Sequence, residues 1–197
     1  MSEYVLPHQL RGERNRLDLM SALLDPVERG HFDQLGIGRG WQCLELGCGN
    51  GSISGTLVEY VAPTGHVVAS DIDLRYMKDL QTPCLEVRRI DLLNDPIEQG
   101  AYDLVVARAL LHHLTPARKG LARMVEALKP GGVLLSIEPD MLPCTVTEPD
   151  GIREFWSGWL RWSTEAGYRL FYWPQNFSLA GFSWPGKCFG RRTHRAF

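Results

Sequence analysis

The chain has 197 residues, 44% hydrophobic and 22% charged, with a formal net charge of −2, the composition of a single soluble globular domain. No apolar run reaches the roughly 18 residues of a membrane helix, and residues 1–8 carry neither the basic cluster nor the apolar core of a secretory signal. Five scattered cysteines without a C-x-x-C pair argue against zinc and disulfide frameworks and for a reducing cytoplasm.

Residues 14–36 read as a helix, with Leu17, Met20, Leu23, Leu24, Val27 and Phe32 on its apolar face and an interruption near Pro26. Residues 42–46 are the first strand. The loop that follows places glycines at alternate positions, Gly47, Gly49 and Gly51, and opens onto a helix over 52–61. Glycines at that density let backbone N–H groups approach a ligand where a side chain would block it, the pattern of a cofactor-binding turn in a doubly wound sheet. Pro63-Thr64-Gly65 ends the helix. Residues 66–70 form a second strand ending at Asp71 and Asp73, residues 74–80 a short helix, and residues 85–90 a third strand ending at Asp91.

Residues 102–107 are almost wholly apolar, as a buried parallel strand requires. A helix over 116–128 starts with Pro116 in its first turn. Lys129-Pro130-Gly131-Gly132 breaks it, and residues 133–137 form the fifth strand before Glu138-Pro139-Asp140. The alternation of strand and helix predicts an α/β, doubly wound, mostly parallel sheet over 37–145, preceded by a helical segment over 1–36.

Glu45, Asp71, Asp91 and Asp140 stand at strand C-termini, the ligand-binding edge of such a sheet. A carboxylate after the second strand is suited to ribose hydroxyls, and one after the third to an adenine amine. The competing reading makes such acids caps of the next helix.

These motifs resemble the class I S-adenosylmethionine-dependent methyltransferases. The likeness rests on Glu45-Leu46-Gly47-Cys48-Gly49-Asn50-Gly51, Ala69-Ser70-Asp71-Ile72-Asp73 and Ile90-Asp91-Leu92. It continues through Tyr102 to Leu114 and Leu128-Lys129-Pro130-Gly131-Gly132, five motifs in order over roughly residues 4–140. Tyr4-Val5-Leu6 and Leu24-Asp25-Pro26 resemble a bacterial small-molecule branch. The resemblance implies a Rossmann-like fold with S-adenosyl-L-methionine as cofactor. By it, the backbone at Gly47, Gly49 and Gly51 faces the methionine arm, with Glu45 beneath. Asp71 holds the ribose, Ile72 flanks the adenine, Asp91 meets its amine and Leu92 packs on the ring. Ala107 and Arg108 lie beside the methionine amino group and the sulfonium, and Tyr4 covers the site.

His112 and His113 follow the fourth strand and are the candidate general bases, needed only where the acceptor must lose a proton. Their competing role is to fill space beside Leu111 and Leu114. A nicotinamide oxidoreductase is the rival enzyme, but its G-x-G-x-x-G fingerprint needs glycine where Ser52 stands.

From Ile152 to Phe197 there are seven basic residues against two acids, and five of the six tryptophans. Residues 146–197 read as a helix and then an irregular basic, aromatic end. Prolines and glycines fall where the family's last two strands are expected, so that strand pair reads as missing or irregular. A shift of reading frame near Tyr168 is the cause proposed for this departure; under it the basic charge is an accident of frame, which disfavours nucleic-acid binding. The alternative function is then a cofactor-binding remnant with little turnover. Phe155, Trp156, Trp159 and Trp162 fall at helical spacing and fit either an acceptor pocket or core packing. The expected acceptor is a small molecule.

Overall fold

The computed structural model describes residues 12–77, 82–140 and 149–165. In chain order the elements are α1 (Glu13–Leu35), β1 (Gln42–Leu46), α2 (Ser52–Val61), β2 (His66–Asp71), β3 (Leu85–Arg89) and β4 (Tyr102–Arg108). A short 3-10 turn (Leu111–His113), α3 (Ala117–Glu126), β5 (Leu128–Ile137) and α4 (Asp150–Glu165) follow. The strands form one sheet in the order β3-β2-β1-β4-β5. All four pairings are parallel. The order reverses between β1 and β4, and the crevice outside that switch point is where doubly wound sheets take ligands.

Side chains alternate across each strand, so consecutive residues feed opposite layers. Cys43, Val67, Leu104 and Val106 pack with Ile53, Leu57 and Val61 of α2 and with Phe32 of α1. Leu44, Leu46, Val105 and Ala107 pack with Leu121 and Met124 of α3. A fully buried leucine such as Leu57 contributes about 1.5–3 kcal/mol. Both faces of the sheet are covered, which is why residues 104–107 of β4 are apolar without interruption and 43–46 of β1 are buried without interruption. Gly65 closes the α2–β2 turn because a Cβ there would stand 2.6 Å from the Trp41 carbonyl oxygen.

Four expectations need correction. First, α1 runs unbroken through Pro26. Proline removes the hydrogen bond to the Ala22 carbonyl, but both residues are exposed, so water reaches that carbonyl. Second, Leu23 and Val27 are not on the packed face: they are 74% and 58% exposed and continue a stripe from Leu19. The inward face instead mixes Leu17 and Leu24, half-buried, with buried Ser21, Glu28 and Phe32. Third, Lys129-Pro130-Gly131-Gly132 does not precede β5 but lies inside it, as a register shift opposite Tyr102 and Leu104. Fourth, Pro116 is the extended residue before α3 and not its first helical one.

The short helix expected over 74–80 begins as a turn, in which Met77 N–H donates to the Leu74 carbonyl, and its end lies outside the described residues. So do Tyr4 and the tail where the missing strand pair was expected. The aromatic spacing at 155–162 does belong to a helix, α4.

Candidate functional site

A cavity of about 830 Å³ opens over the C-terminal edge of β1, β2 and β4, bounded by α1 on one side and α4 on another. Its floor is the glycine loop. Gly47, Gly49 and Gly51 all adopt left-handed backbone, with φ of 75°, 55° and 79°. This is the physical reason for their alternation, since other residues are strained there. Gly47 and Cys48 donate their N–H groups to the Ser70 carbonyl at 2.8 and 2.9 Å, tying the loop to β2. A Cβ on Gly47 would come within 3.1 Å of Leu110, closing the floor from the opposite wall.

Asp71, at the end of β2, accepts the Gly49 N–H at 3.0 Å through one carboxylate oxygen and the Asp73 N–H at 3.1 Å through the other. It therefore both shapes the loop and lines the cavity, beside Ile72. Asp91 also lines it, with Leu92. Asp91 also caps a turn, where the competing reading had a helix: it accepts the Leu93 N–H at 2.9 Å and the Asn94 side-chain amide at 2.7 Å. The Asn94 bond holds its carboxyl below the ordinary range.

Gly47, Gly49, Arg108, His112 and His113 share the cavity wall, whereas Glu45, Gly51 and Ala107 do not line it. Ala107 is fully buried in the sheet. Gly51 precedes α2. Glu45 is 2% exposed. Ser54 Oγ donates to it in a very short contact. Burial pushes its carboxyl up to about 8. The folded chain thus keeps a proton on Glu45 that the unfolded chain, with a value of 4.5, releases. This contribution to stability is complete below pH 4.5 and fades as pH climbs to 8, with a slope of at most about 1.4 kcal/mol per pH unit. Glu45→Gln is expected to flatten that part of the stability–pH profile, read by urea denaturation at several pH values. An unchanged slope would show that other groups set it.

Arg108 does not reach freely into the cavity. Its guanidinium bonds Asp25 at 2.8 Å and Glu28 at 2.9 Å, both on α1, and the Ser52 hydroxyl at 3.1 Å. Ser52 also receives the Ser21 hydroxyl at 2.9 Å and donates to Asp25 at 3.2 Å. Asn50 joins α1 by donating to Asp18 at 3.0 Å. This polar cluster clamps α1 onto the glycine loop. The sequence reading missed it, although Ser52, the residue that breaks the dinucleotide fingerprint, is its pivot.

Beyond β4 the chain turns at Ala109, with φ of 52°. His112 then meets Glu138 at the end of β5, with Nδ1 2.6 Å from Oε2. His113 lies tilted against His112, with ring centroids 3.9 Å apart and planes at 43°. Trp159 and Trp162 of α4 complete the wall. Cys43 and Cys48 are buried free thiols, and burial raises both, so neither is a ready nucleophile. Among the described residues no cluster of metal ligands occurs, and no helix is long and apolar enough to cross a membrane.

Residues 44–134 match the methyltransferase domain family. The chain is 32% identical over 124 residues to an uncharacterised 37.1 kDa protein in a transposon of Streptomyces fradiae, which covers 60% of this chain and 36% of that one. It is 30% identical over 130 residues to the ubiquinone/menaquinone biosynthesis C-methyltransferase of Erwinia tasmaniensis, over 61% of this chain and 52% of that one. The fold matches a SAM-dependent methyltransferase from Aquifex aeolicus with a TM-score of 0.54 and 21% identity, covering 72% of this chain and 79% of the other. The chain spans 36% and 52% of the length of the two curated relatives.

Proposed function

We propose that this chain, which belongs to the class I S-adenosylmethionine-dependent methyltransferases, moves the methyl group of that cofactor onto a small-molecule acceptor. The observation that carries the reading is the convergence of the left-handed glycine loop, Asp71 and Asp91 on one cavity that also has an aromatic wall. The relative in ubiquinone/menaquinone biosynthesis supports a small acceptor. The free cysteines support a reducing compartment such as the cytoplasm.

The residues fit the cofactor by their chemistry. Glycine-loop backbone, with Glu45 and Gly51 supporting it from below, faces the aminoacyl arm. Asp71 takes the ribose hydroxyls, Ile72 and Leu92 sandwich the base, and Asp91 accepts from its amine. Ala107 and Arg108 bound the side nearest the sulfonium, where the carboxylates of Asp25 and Glu28 offset the arginine charge. Tyr4 is the proposed cover. The sulfonium supplies a methyl group that is already activated, so the protein's tasks are alignment and exclusion of water. His112 and His113 are the candidates for taking a proton from the acceptor.

Binding of S-adenosylhomocysteine tests the reading without an acceptor. At a hundredfold excess over Kd the ligand should add about 2.7 kcal/mol of stability, a rise in Tm of roughly 5–10 °C for a chain of this size. Calorimetry with no heat, together with an unmoved Tm, would overturn it.

A further inference from the structure

The Glu138 side chain is 2% exposed, and its hydrogen bonds among the described residues run to residues 110–112. Its Oε1 accepts the N–H groups of Leu110 at 3.1 Å and Leu111 at 2.8 Å, and its Oε2 accepts the N–H of His112 at 3.3 Å. Backbone amides are obligatory donors, so both carboxylate oxygens act here as acceptors. The remaining contact is Oε2 to His112 Nδ1 at 2.6 Å, and a Glu138 that acts as acceptor throughout takes this hydrogen from the imidazole. With the hydrogen on Nδ1, a neutral ring keeps a lone pair on Nε2. The ring is contacted by Glu138 at Nδ1 and by the tilted ring of His113. Nε2 has no hydrogen bond among the described residues, and His112 lines the cavity.

From this geometry we infer that Glu138 and His112 form a proton-abstracting pair and that the acceptor presents an acidic hydroxyl, phenolic or enolic, on a planar apolar body. The inference rests on the methyl-transfer reading and narrows its substrate class. His112 Nε2 is the catalytic base and Glu138 the positioning residue. The acceptor O–H bond breaks with its proton passing to Nε2. The oxygen lone pair forms the new O–C bond to the sulfonium methyl, while the C–S electron pair returns to sulfur. The products are a methyl ether, S-adenosylhomocysteine and an imidazolium that returns its proton to water. A neutral amine acceptor attacks through its own lone pair and has no need of such a base at the start. Trp159 and Trp162 line the cavity from α4, and aromatic side chains of this kind favour a flat apolar partner.

The test reads the imidazole and needs no turnover. Nitrogen-15 NMR of the histidine-labelled full chain, with His112 assigned by a His112→Gln variant, reports which ring nitrogen carries hydrogen. The expected result is a neutral His112 protonated at Nδ1 and bare at Nε2, and a mixed population in Glu138→Gln. A wild-type ring protonated at Nε2 overturns the pair, since that atom could not then accept a proton. An unaltered tautomer in Glu138→Gln removes Glu138 from the role, and Glu138→Asp should restore part of the preference. Added 1-naphthol should move the bare Nε2 resonance upfield, and 1-naphthylamine should move it less. No shift up to the solubility limit of 1-naphthol overturns the hydroxyl assignment. Loss of S-adenosylhomocysteine binding by the wild-type chain would instead overturn the methyl-transfer reading and leave the tautomer result standing.

Discussion

Replacing Arg108 by methionine is expected to lower the free energy of unfolding by about 3–5 kcal/mol, the usual cost of removing one partner from a buried ion pair. The reason lies on α1. Glu28 is only 3% exposed, and its Oε1 has no hydrogen-bond partner among the described residues. Burial pushes its carboxyl up, and Arg108 pulls it back down. Methionine fills much of the arginine's volume but leaves Glu28 either charged without compensation or obliged to take a proton. The sign with pH follows. In Arg108→Met the folded value of Glu28 stands still further above the unfolded 4.5, so stability is greatest below pH 4.5 and falls as pH rises. The deficit against wild type should therefore be larger at alkaline than at acidic pH. Adding Glu28→Gln to Arg108→Met should recover more than half of the loss at neutral pH. Urea denaturation of the single and double variants measures this coupling. A double variant no more stable than the single one would show that the clamp does not depend on this charge pair.

What the sequence made legible follows from which constraints are local. β1, β2 and β4 could be placed to within a residue because strands buried on both faces are rich in consecutive apolar residues, as at 43–44, 67–69 and 104–107. The glycine loop was legible because left-handed backbone at 47, 49 and 51 leaves glycine as the unstrained choice. Asp71 and Asp91 were legible as strand ends. The first half of β5 was not, because a bulge and a strand boundary carry the same Pro-Gly-Gly signature. The packed face of α1 was misjudged for a different reason. Its orientation is set by Ser21, Asp25 and Glu28 reaching a residue 80 or more positions away, and periodicity of apolar residues is blind to such contacts. Glu138 was visible as an acid after a strand, but its pairing with His112 spans 26 positions, across the helix α3 and the strand β5. Local pattern thus located the glycine loop and the strand-end acids that line the cavity, while the parts that orient and enclose it are products of the tertiary fold.

Asp71→Asn is expected to weaken S-adenosylhomocysteine binding by about 100-fold, the larger of the effects on the ligand side. Two charge-assisted hydrogen bonds to ribose hydroxyls, at about 1.5–3 kcal/mol each, become neutral ones, and one oxygen becomes a donor. A loss of about 2.8 kcal/mol corresponds to that hundredfold change. The same oxygen set also holds Gly49 N–H at 3.0 Å and Asp73 N–H at 3.1 Å, so the amide must choose between shaping the loop and binding sugar. The two contributions separate experimentally. If the hydroxyl contacts dominate, a 2′-deoxy form of the ligand loses most of its affinity for wild type and little more for Asp71→Asn, giving a strongly non-additive cycle. If loop shape dominates, both forms weaken equally in the variant, and amide exchange at Gly49 accelerates even without ligand. Calorimetry showing Asp71→Asn within threefold of wild type would remove Asp71 from the binding site altogether. The glycine loop would then have to hold the nucleoside through backbone contacts alone.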